Sequence, residues 1–259
     1  MKRALIVVAL VMFSLPALAQ FVAPGGQIPV VANNPGLNGT YWRSDVSVLN
    51  TTDIDGTIML ILFPEIINGV ADFEMIISDE ISVPANSQIT LTNIVQSEFG
   101  LFDKKGGLSV FSPTFTPVVV SSRVYTYGDQ QCEGSYGQDV NSIQVEDKAW
   151  ISGLEHSAQF RSNIGVFMNI GLEFGASVVF TVEVFDGDGD PAGSGSLVYN
   201  EPGLQQVNLD VFDVGLLLDG YAVITCSDPS LRWYAYASVV DETSGDAVFR
   251  IAKGHEITK

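Results

Sequence analysis

Three carboxylates occur at every second position in the stretch DGDGDP at residues 186–191. Alternating acidic side chains place oxygen atoms around one centre, which is what a hard cation such as calcium requires. The helix-loop-helix calcium pattern, however, has an acid where Leu197 stands. Glycine also suits the left-handed positions of a hairpin turn, and aspartate keeps the tip of such a turn solvated. We therefore favour a hairpin turn, with a calcium site held by Asp186, Asp188 and Asp190 as the alternative.

A second stretch of chemical interest is aromatic and contains Trp233, Tyr234 and Tyr236. Side chains alternate between the two faces of a strand, so Trp233 is predicted to face the core and the two tyrosines to face the other side. Half-exposed tyrosine rings can stack on a sugar or hold a protein partner, which makes Tyr234 and Tyr236 candidate ligand-binding residues. We favour the alternative, in which they pack against a neighbouring strand beneath a loop.

Cysteine chemistry rests on Cys132 and Cys226, the two cysteines of the chain. We predict that they form one disulfide, because the sequence carries an export signal, described below, and exported proteins meet an oxidising compartment. The bond would fasten the segment between two domains onto the second of them. In the alternative, Cys226 packs as a small apolar residue, while Cys132 stays free or links two chains.

Sequence patterns for catalysis are missing. The two histidines, His156 and His255, have no counterparts in the internal repeat described below, and the sequence has no zinc-ligand spacing, phosphate loop, nucleophile elbow or Cys-His arrangement. Acidic residues number 30, so no pair of carboxylates stands out from the others. We predict that the protein is not an enzyme and, calcium apart, that it needs no cofactor.

The elements that must position these residues follow from an internal repeat. The sequence WRSD at residues 42–45 recurs as FRSN at residues 160–163, and Pro84 and Pro202 follow them at the same spacing. Short alternating or wholly apolar runs, separated by turn residues, make up both copies, and this pattern is typical of β-sandwiches. We predict an all-β chain of two tandem Ig-like antiparallel β-sandwich domains that arose by internal duplication.

Arg43 and Arg161 occupy matching positions in the two copies. An arginine beside Asp45 or Asn163 on a strand could bind an anion. Its repetition in both domains favours a structural role instead, in which the guanidinium bonds to a carbonyl or carboxylate and ties down a loop.

The chain divides into three segments. Residues 1–19 have a basic start, an apolar run and the small-residue site Ala17-Leu18-Ala19, which are typical of a cleaved secretory signal peptide. Residues 128–137 are polar and turn-rich, so we place the domains at residues 20–130 and 131–259. The Pro-punctuated segment 20–32 could add a strand to a neighbouring molecule and cause self-association; its alternative is to pair within its own domain.

The charge and hydropathy of the chain exclude some partners. The net charge is −18, and it changes to −20 when Lys2 and Arg3 leave with the signal peptide. Such an acidic surface repels nucleic acid. No later stretch reaches the roughly 20 apolar residues that a membrane-spanning helix needs. We expect an exported protein that is periplasmic, cell-surface or extracellular.

Three motifs carry a resemblance to known proteins. They are the repeated Trp/Phe-Arg-Ser-Asp/Asn strand, the run SRVY at residues 122–125 followed by YGQ at residues 136–138, and the run ASVVDETSGD at residues 237–246. Together they resemble a group of uncharacterised secreted bacterial proteins with tandem Ig-like β-sandwich units. The resemblance covers most of the chain after the signal peptide. It implies two sandwiches and export, and it carries no catalytic residue over to this sequence.

Two functional hypotheses follow. The first is a non-enzymatic structural or adhesion protein at the cell surface or in the extracellular matrix, because stable sheets that display variable loops suit adhesion. The second is a carbohydrate-binding accessory module that uses Tyr234, Tyr236 or aromatic residues in loops. In both cases the expected partner is a protein or a glycan at the cell exterior.

Overall fold

The structure, a computed structural model, describes residues 23–127, 135–140, 144–145, 147–169 and 176–254. The predicted signal peptide at residues 1–19 lies outside these ranges. Nearly all of the described chain is antiparallel β-sheet, which confirms the predicted all-β class. Within the same ranges, no helix has the length and apolar character needed to cross a membrane.

Within the described ranges, the first half contains eleven strands, one short helix and one 3-10 turn at Leu37–Gly39. The strands are β1 (Gly25–Pro35), β2 (Tyr41–Asn50), β3 (Gly56–Pro64), β4 (Ile66–Ile67), β5 (Val70–Ala71), β6 (Ile76–Ile77), β7 (Ile81–Val83), β8 (Gln88–Leu91), β9 (Lys104–Phe111), β10 (Val118–Tyr127) and β11 (Ser135–Asp139), and the helix is α1 (Ile94–Ser97).

The second half contains ten strands and a 3-10 turn at Leu209–Phe212. The strands are β12 (Gln144–Val145), β13 (Lys148–His156), β14 (Phe160–Met168), β15 (Val178–Asp186), β16 (Pro191–Tyr199), β17 (Gly203–Asn208), β18 (Leu217–Cys226), β19 (Trp233–Asp241), β20 (Ala247–Ile251) and β21 (Lys253–Gly254).

In the first sandwich, strand β1 pairs with strands of both layers. One layer contains β8, β2, β10 and β11, and the other contains β1, β9, β3, β6 and β7. Strand β1 pairs with β9 from Gly25 to Asn33 and with β2 from Asn33 to Pro35, so that the two layers form one continuous sheet. The alternating apolar residues of β2 and β3 fill the space between the layers, and Val46, Val48 and Leu60 are fully buried there.

The second sandwich consists of two separate sheets. One has the order β12-β19-β14-β17, with β20 beside β19, and the other has the order β16-β15-β18-β13-β21. Its core contains Ile164 and Val166 from β14, Phe180 from β15 and Trp233 from β19. Trp233 is fully buried, which confirms its predicted position on the core face.

The two halves pair their strands in the same way. Strand β2 lies between β8 and β10 as β14 lies between β17 and β19. Strand β9 lies between β1 and β3 as β18 lies between β13 and β15. This correspondence agrees with the repeat seen in the sequence, while the duplication event itself stays a prediction.

Two expectations about the ends of the first domain differ from the structure. Strand β11 pairs with β10 over residues 135–139, so the first sandwich continues past the predicted boundary between residues 130 and 131. The polar composition of residues 128–137 suggests a linker, but it equally suits an edge strand, one side of which faces solvent. At the other end, the described part of segment 20–32 pairs with β9 and β2 of its own domain instead of offering a free strand, since partners within the chain already take its backbone groups.

The sandwiches meet through a layer of apolar side chains. Phe167, Leu204, Tyr234 and Tyr236 of the second half belong to the same buried cluster as the core of the first. The ring of Phe167 lies against the backbone of Gly107, where an added Cβ would come within 2.1 Å of the ring. It also packs edge-on to Phe63, with 5.5 Å between the ring centroids. Only glycine allows this approach, which fixes how closely the two sandwiches pack.

We expect Phe167→Ala to lower the free energy of unfolding by about 3–5 kcal/mol, because it removes a fully buried ring and leaves a cavity between the sandwiches. Chemical denaturation measures this loss. The matched control is Phe115→Ala, since 72% of Phe115 is exposed, and its effect should stay within about 0.5 kcal/mol. A loss for Phe167→Ala as small as that of the control would contradict the described interface.

Candidate functional site

Tyr234 and Tyr236 do not form the half-exposed platform of the ligand-binding hypothesis, and both are packed inside the protein, as the favoured alternative expects. Tyr234 is 8% exposed and Tyr236 is 1% exposed. The Tyr236 ring stacks on Phe249 and its hydroxyl donates to Gln206. Strand β19 is buried on both faces, because the first sandwich covers the face that points away from its own core. Burial raises the pKa of both phenols, which therefore stay protonated.

The acidic loop at residues 186–190 forms the hairpin turn between β15 and β16. One carboxylate oxygen of Asp186 accepts hydrogen bonds from the backbone N–H groups of Asp188 and Asp190, at 3.0 and 2.9 Å. Gly189 takes the left-handed conformation that closes the turn. In the described part of the chain, no three His, Cys, Asp or Glu side chains come close enough to hold a metal ion. The three aspartates thus have the geometry of a turn, which differs from the calcium-site alternative.

The structure describes one of the two cysteines of the predicted disulfide. Cys226 lies in the core of the second sandwich as a free, buried thiol, and burial raises its pKa. This position fits the alternative in which Cys226 packs as a small apolar residue. Cys132 lies outside the described residues, so the disulfide stays a prediction.

Each copy of the repeated motif contains a buried serine that bonds to the backbone of another strand. The hydroxyl of Ser44 accepts a hydrogen bond from the backbone N–H of Ala32 at 2.8 Å. In the second half, the Ser162 hydroxyl accepts from the N–H of Glu155 and donates to its carbonyl. The Ser44 hydroxyl thus links β2 to β1, and the Ser162 hydroxyl links β14 to β13. Since Ser44 faces inward, its neighbours along β2 face outward.

A groove opens where β2 and β10 present this outward face. Tyr41, Arg43 and Asp45 alternate along β2, and Tyr125 and Tyr127 alternate along the paired strand β10. This tyrosine groove has a volume of about 1100 Å³. The described residues that line it are Gly39, Thr40, Tyr41, Arg43, Asp45, Thr92, Asn93, Tyr125, Thr126, Tyr127, Tyr136, Thr243, Ser244 and Gly245.

Aromatic rings of different exposure line the groove. Tyr125 is buried and packs edge-on to Tyr127, at 5.6 Å between the ring centroids. Tyr127 is 44% exposed, and Tyr136 on β11 is 46% exposed. The hydroxyl of Tyr41 donates to Asp103 and lies within hydrogen-bonding distance of the Asn33 carbonyl. The groove therefore combines accessible ring faces with fixed polar groups.

The carboxylate of Asp45 has a structural role within the groove. One of its oxygens accepts hydrogen bonds from the backbone N–H of Asn93 at 2.8 Å and from the Tyr125 hydroxyl at 3.2 Å. Burial, and then the nearby charge of Asp45, raise the pKa of Tyr125, while burial and the bond to Asp103 raise the pKa of Tyr41. Both phenols stay neutral at physiological pH.

The second sandwich supplies one wall of the groove through the turn at Thr243–Gly245. The carboxylate of Asp241 accepts hydrogen bonds from the backbone N–H groups of Ser244 and Thr243, and these bonds lower its pKa. A depressed carboxyl pKa means that the bonds are fully formed above the pKa of the unfolded chain and are lost as the pH falls through the folded value. The wall is thus held in place at neutral pH.

Arg43 and Arg161 have different surroundings despite their matching positions. The guanidinium of Arg161 pairs with the Glu242 carboxylate at 2.7 Å, as the structural hypothesis predicts. The guanidinium of Arg43 instead lies over the rings of Tyr41 and Tyr127, at 5.0 and 5.6 Å from their centroids. Among the described residues, no carboxylate lies within ion-pair distance of Arg43.

A smaller cleft of about 300 Å³ lies between the sandwiches. Its two cationic side chains are paired, because Lys105 bonds to Glu65 at 3.0 Å and Arg161 bonds to Glu242. Burial raises the pKa of Glu65, and Lys105 opposes this shift. Each ion pair lies within one sandwich and leaves no unpaired cation among the described residues of this cleft, so the tyrosine groove is the better candidate for ligand binding.

Sequence reasoning missed this groove, although part of its signal was present. Tyrosines at positions 125 and 127, and Tyr41, Arg43 and Asp45, each show the spacing of two that places side chains on one face of a strand. Nothing in that spacing tells which face meets solvent, or that the two strands lie side by side.

Comparisons with known proteins add no functional assignment. No protein-family model matches the chain, and no curated protein matches it. Solved structures with some similarity include the T13 particle of infectious bursal disease virus (12% identity, 89% of this chain and 72% of that chain, TM-score 0.21). A second is a mutant VP2 protein of the same virus in T=1 particles, with 12% identity over 91% of this chain and 74% of that chain and a TM-score of 0.19. A third is a glycosyl hydrolase family 2 member from Bacteroides cellulosilyticus, with 10% identity over 92% of this chain and 30% of that chain and a TM-score of 0.17. These TM-scores are too low to support an argument about fold or function.

We expect the Asp186–Asp190 turn to be indifferent to calcium. Adding calcium or a chelator should move the melting temperature by less than about 1 °C, because a ligand stabilises a protein only when the folded state binds it. Asp186→Asn should weaken the turn, since it replaces the carboxylate oxygen that accepts two backbone N–H groups, and Asp188→Asn should have little effect. A calcium-dependent rise that Asp188→Asn abolishes would restore the metal site.

The buried serine of the motif gives a second prediction. Ser44→Ala should lower the free energy of unfolding by about 1–3 kcal/mol, because the buried N–H of Ala32 loses its acceptor. Ser47→Ala is the control, since Ser47 lies on the same strand and its hydroxyl makes an exposed bond to Thr90 on β8. Equal losses in the two variants, measured by denaturant unfolding, would show that the buried hydrogen bond has no special weight.

Proposed function

We propose that the protein is a non-enzymatic, exported adhesion protein that binds glycans at the cell surface or in the extracellular matrix through the tyrosine groove. The observation that carries this proposal is the open groove in which the exposed rings of Tyr127 and Tyr136 stand beside fixed polar groups. The adhesion and carbohydrate-binding hypotheses thereby become one, and the binding residues differ from Tyr234 and Tyr236.

The chemistry of the groove suits a sugar. The apolar face of a pyranose ring packs well on a flat aromatic ring, while its hydroxyls need hydrogen-bonding partners at the edges. Tyr127 offers an accessible ring, and Thr92 and Ser244 line the same groove with hydroxyl groups. A flat protein interface would instead favour a larger, contiguous apolar patch with a buried anchor.

The carboxylates of the groove favour binding over hydrolysis. Glycoside hydrolysis ordinarily uses two carboxyl groups on either side of the scissile bond. Asp45 is the single carboxylate among the described lining residues, and its hydrogen bonds to Asn93 and Tyr125 already occupy one of its oxygens. This arrangement holds the groove in shape and supports the proposal of a non-catalytic site.

The apolar contact between the sandwiches supports the adhesion part of the proposal. The walls of the groove come from both halves of the chain, namely from β2, β10 and β11 and from the turn at Thr243–Gly245. Because Phe167 packs directly on Gly107, the two halves keep one spacing, and the groove is preformed. A preformed site avoids the entropic cost of ordering side chains when a ligand binds.

Binding to an array of bacterial and host surface glycans tests this function. Tyr127→Ala should weaken binding of the selected glycan by about tenfold, which corresponds to the loss of one aromatic stacking contact. Phe115→Ala removes an exposed ring outside the groove and should leave the affinity unchanged. The proposal fails if no glycan binds, if the two variants lose affinity equally, or if a protein proves to be the sole ligand of the groove.

A further inference from the structure

The position of Arg43 carries an inference about the chemical class of the glycan, which rests on the function proposed above. Arginines in proteins usually meet carboxylates or carbonyls, as Arg161 does with Glu242 in the matching position of the second sandwich. In the ranges that the structure describes, the guanidinium of Arg43 has neither an ion pair nor a hydrogen bond to another residue. Its contacts are with two aromatic rings.

This geometry leaves the donor groups of Arg43 available. A guanidinium has five N–H donors. The guanidinium carbon of Arg43 lies over the rings of Tyr41 and Tyr127, at 5.0 and 5.6 Å from their centroids, and none of its donors bonds to a described residue. The rings also hold the side chain in one orientation, so a ligand would lose little side-chain entropy on binding it. The edge of Arg43 lines the groove as a preformed donor fork.

The charge of the whole chain limits which anions this fork can accept. With a net charge of −18, the protein repels densely charged polymers, and repulsion grows with each charge on the ligand. A carboxylate carries one negative charge, and its two oxygens match the planar fork of arginine in a bidentate pair. Asp45 lines the same groove but makes no ion pair with Arg43, and its carboxylate instead accepts hydrogen bonds from Asn93 and Tyr125.

We propose that Arg43 makes the tyrosine groove selective for glycans that carry carboxylates, namely those with uronic acid residues. The carboxylate of one uronic acid accepts hydrogen bonds from the edge of the Arg43 guanidinium, and the adjacent sugar ring stacks on the exposed face of Tyr127. Neutral polar residues that line the groove, such as Thr92 and Ser244, then meet the ring hydroxyls.

Matched pairs of oligosaccharides test this selectivity on the full exported chain. Oligosaccharides of neutral sugars that carry a single galacturonate, mannuronate or glucuronate are each compared with the form in which that one carboxylate is methyl-esterified. The acidic form of at least one pair should bind about tenfold more tightly than its ester, as expected for one charge-assisted bidentate contact of about 1.4 kcal/mol. The preference should shrink as the ionic strength rises, since salt screens exposed charges.

Variants assign the effect to Arg43. Arg43→Gln should remove the difference between acid and ester, while Arg43→Lys keeps the charge but loses the fork and should retain part of it. Arg250→Gln removes the same charge from an exposed arginine outside the groove and should keep the full preference. Melting temperatures confirm that each variant folds.

The outcomes separate this inference from the proposed function. If neutral glycans bind through Tyr127 as tightly as acidic ones, the inference about Arg43 is wrong and glycan binding stands. If sulfated glycans bind more tightly than every uronate, the carboxylate assignment is wrong. If no glycan of any charge binds, the proposed function fails as well.

Discussion

The apolar contact between Phe167 and Gly107 is the constraint on which the arrangement of the two sandwiches depends. A sheet of a sandwich normally has one face on the core and one in solvent. Here the sheet that contains β14 and β19 is covered on both sides, because Phe167, Tyr234 and Tyr236 continue the core of the first sandwich. Removing water from this second face holds two domains, each with its own core, in one orientation.

Much of the fold could be predicted from residue patterns. Alternating apolar residues identified the main strands, and the same alternation placed Trp233 correctly in a core. The repeated WRSD and FRSN motifs correspond to a common physical role, since both serines bind the backbone of a preceding strand. These features are local, or nearly so, and local patterns record which face of a strand is apolar.

What escaped prediction depends on contacts between segments far apart in the chain. Tyrosines at alternate positions, such as Tyr234 and Tyr236, are compatible with a half-exposed strand face, and here the first sandwich covers that face and buries them. The groove requires β2, β10 and the turn after β19 to meet, which no single stretch of sequence records. Likewise, equal positions in a repeat do not guarantee equal roles, because Arg161 has Glu242 beside it whereas Arg43 has tyrosine rings.

The strand β1 has a consequence for the order in which the first sandwich folds. It pairs with β9, which follows only after most of the first sandwich, and it joins both layers of that sandwich. Non-local pairing of this kind slows folding, since a long loop must close before the bonds between β1 and β9 form. Ile28 and Val31 therefore lack their β9 partners until the chain through Phe111 is accessible. During synthesis, this interval leaves an apolar strand open to aggregation.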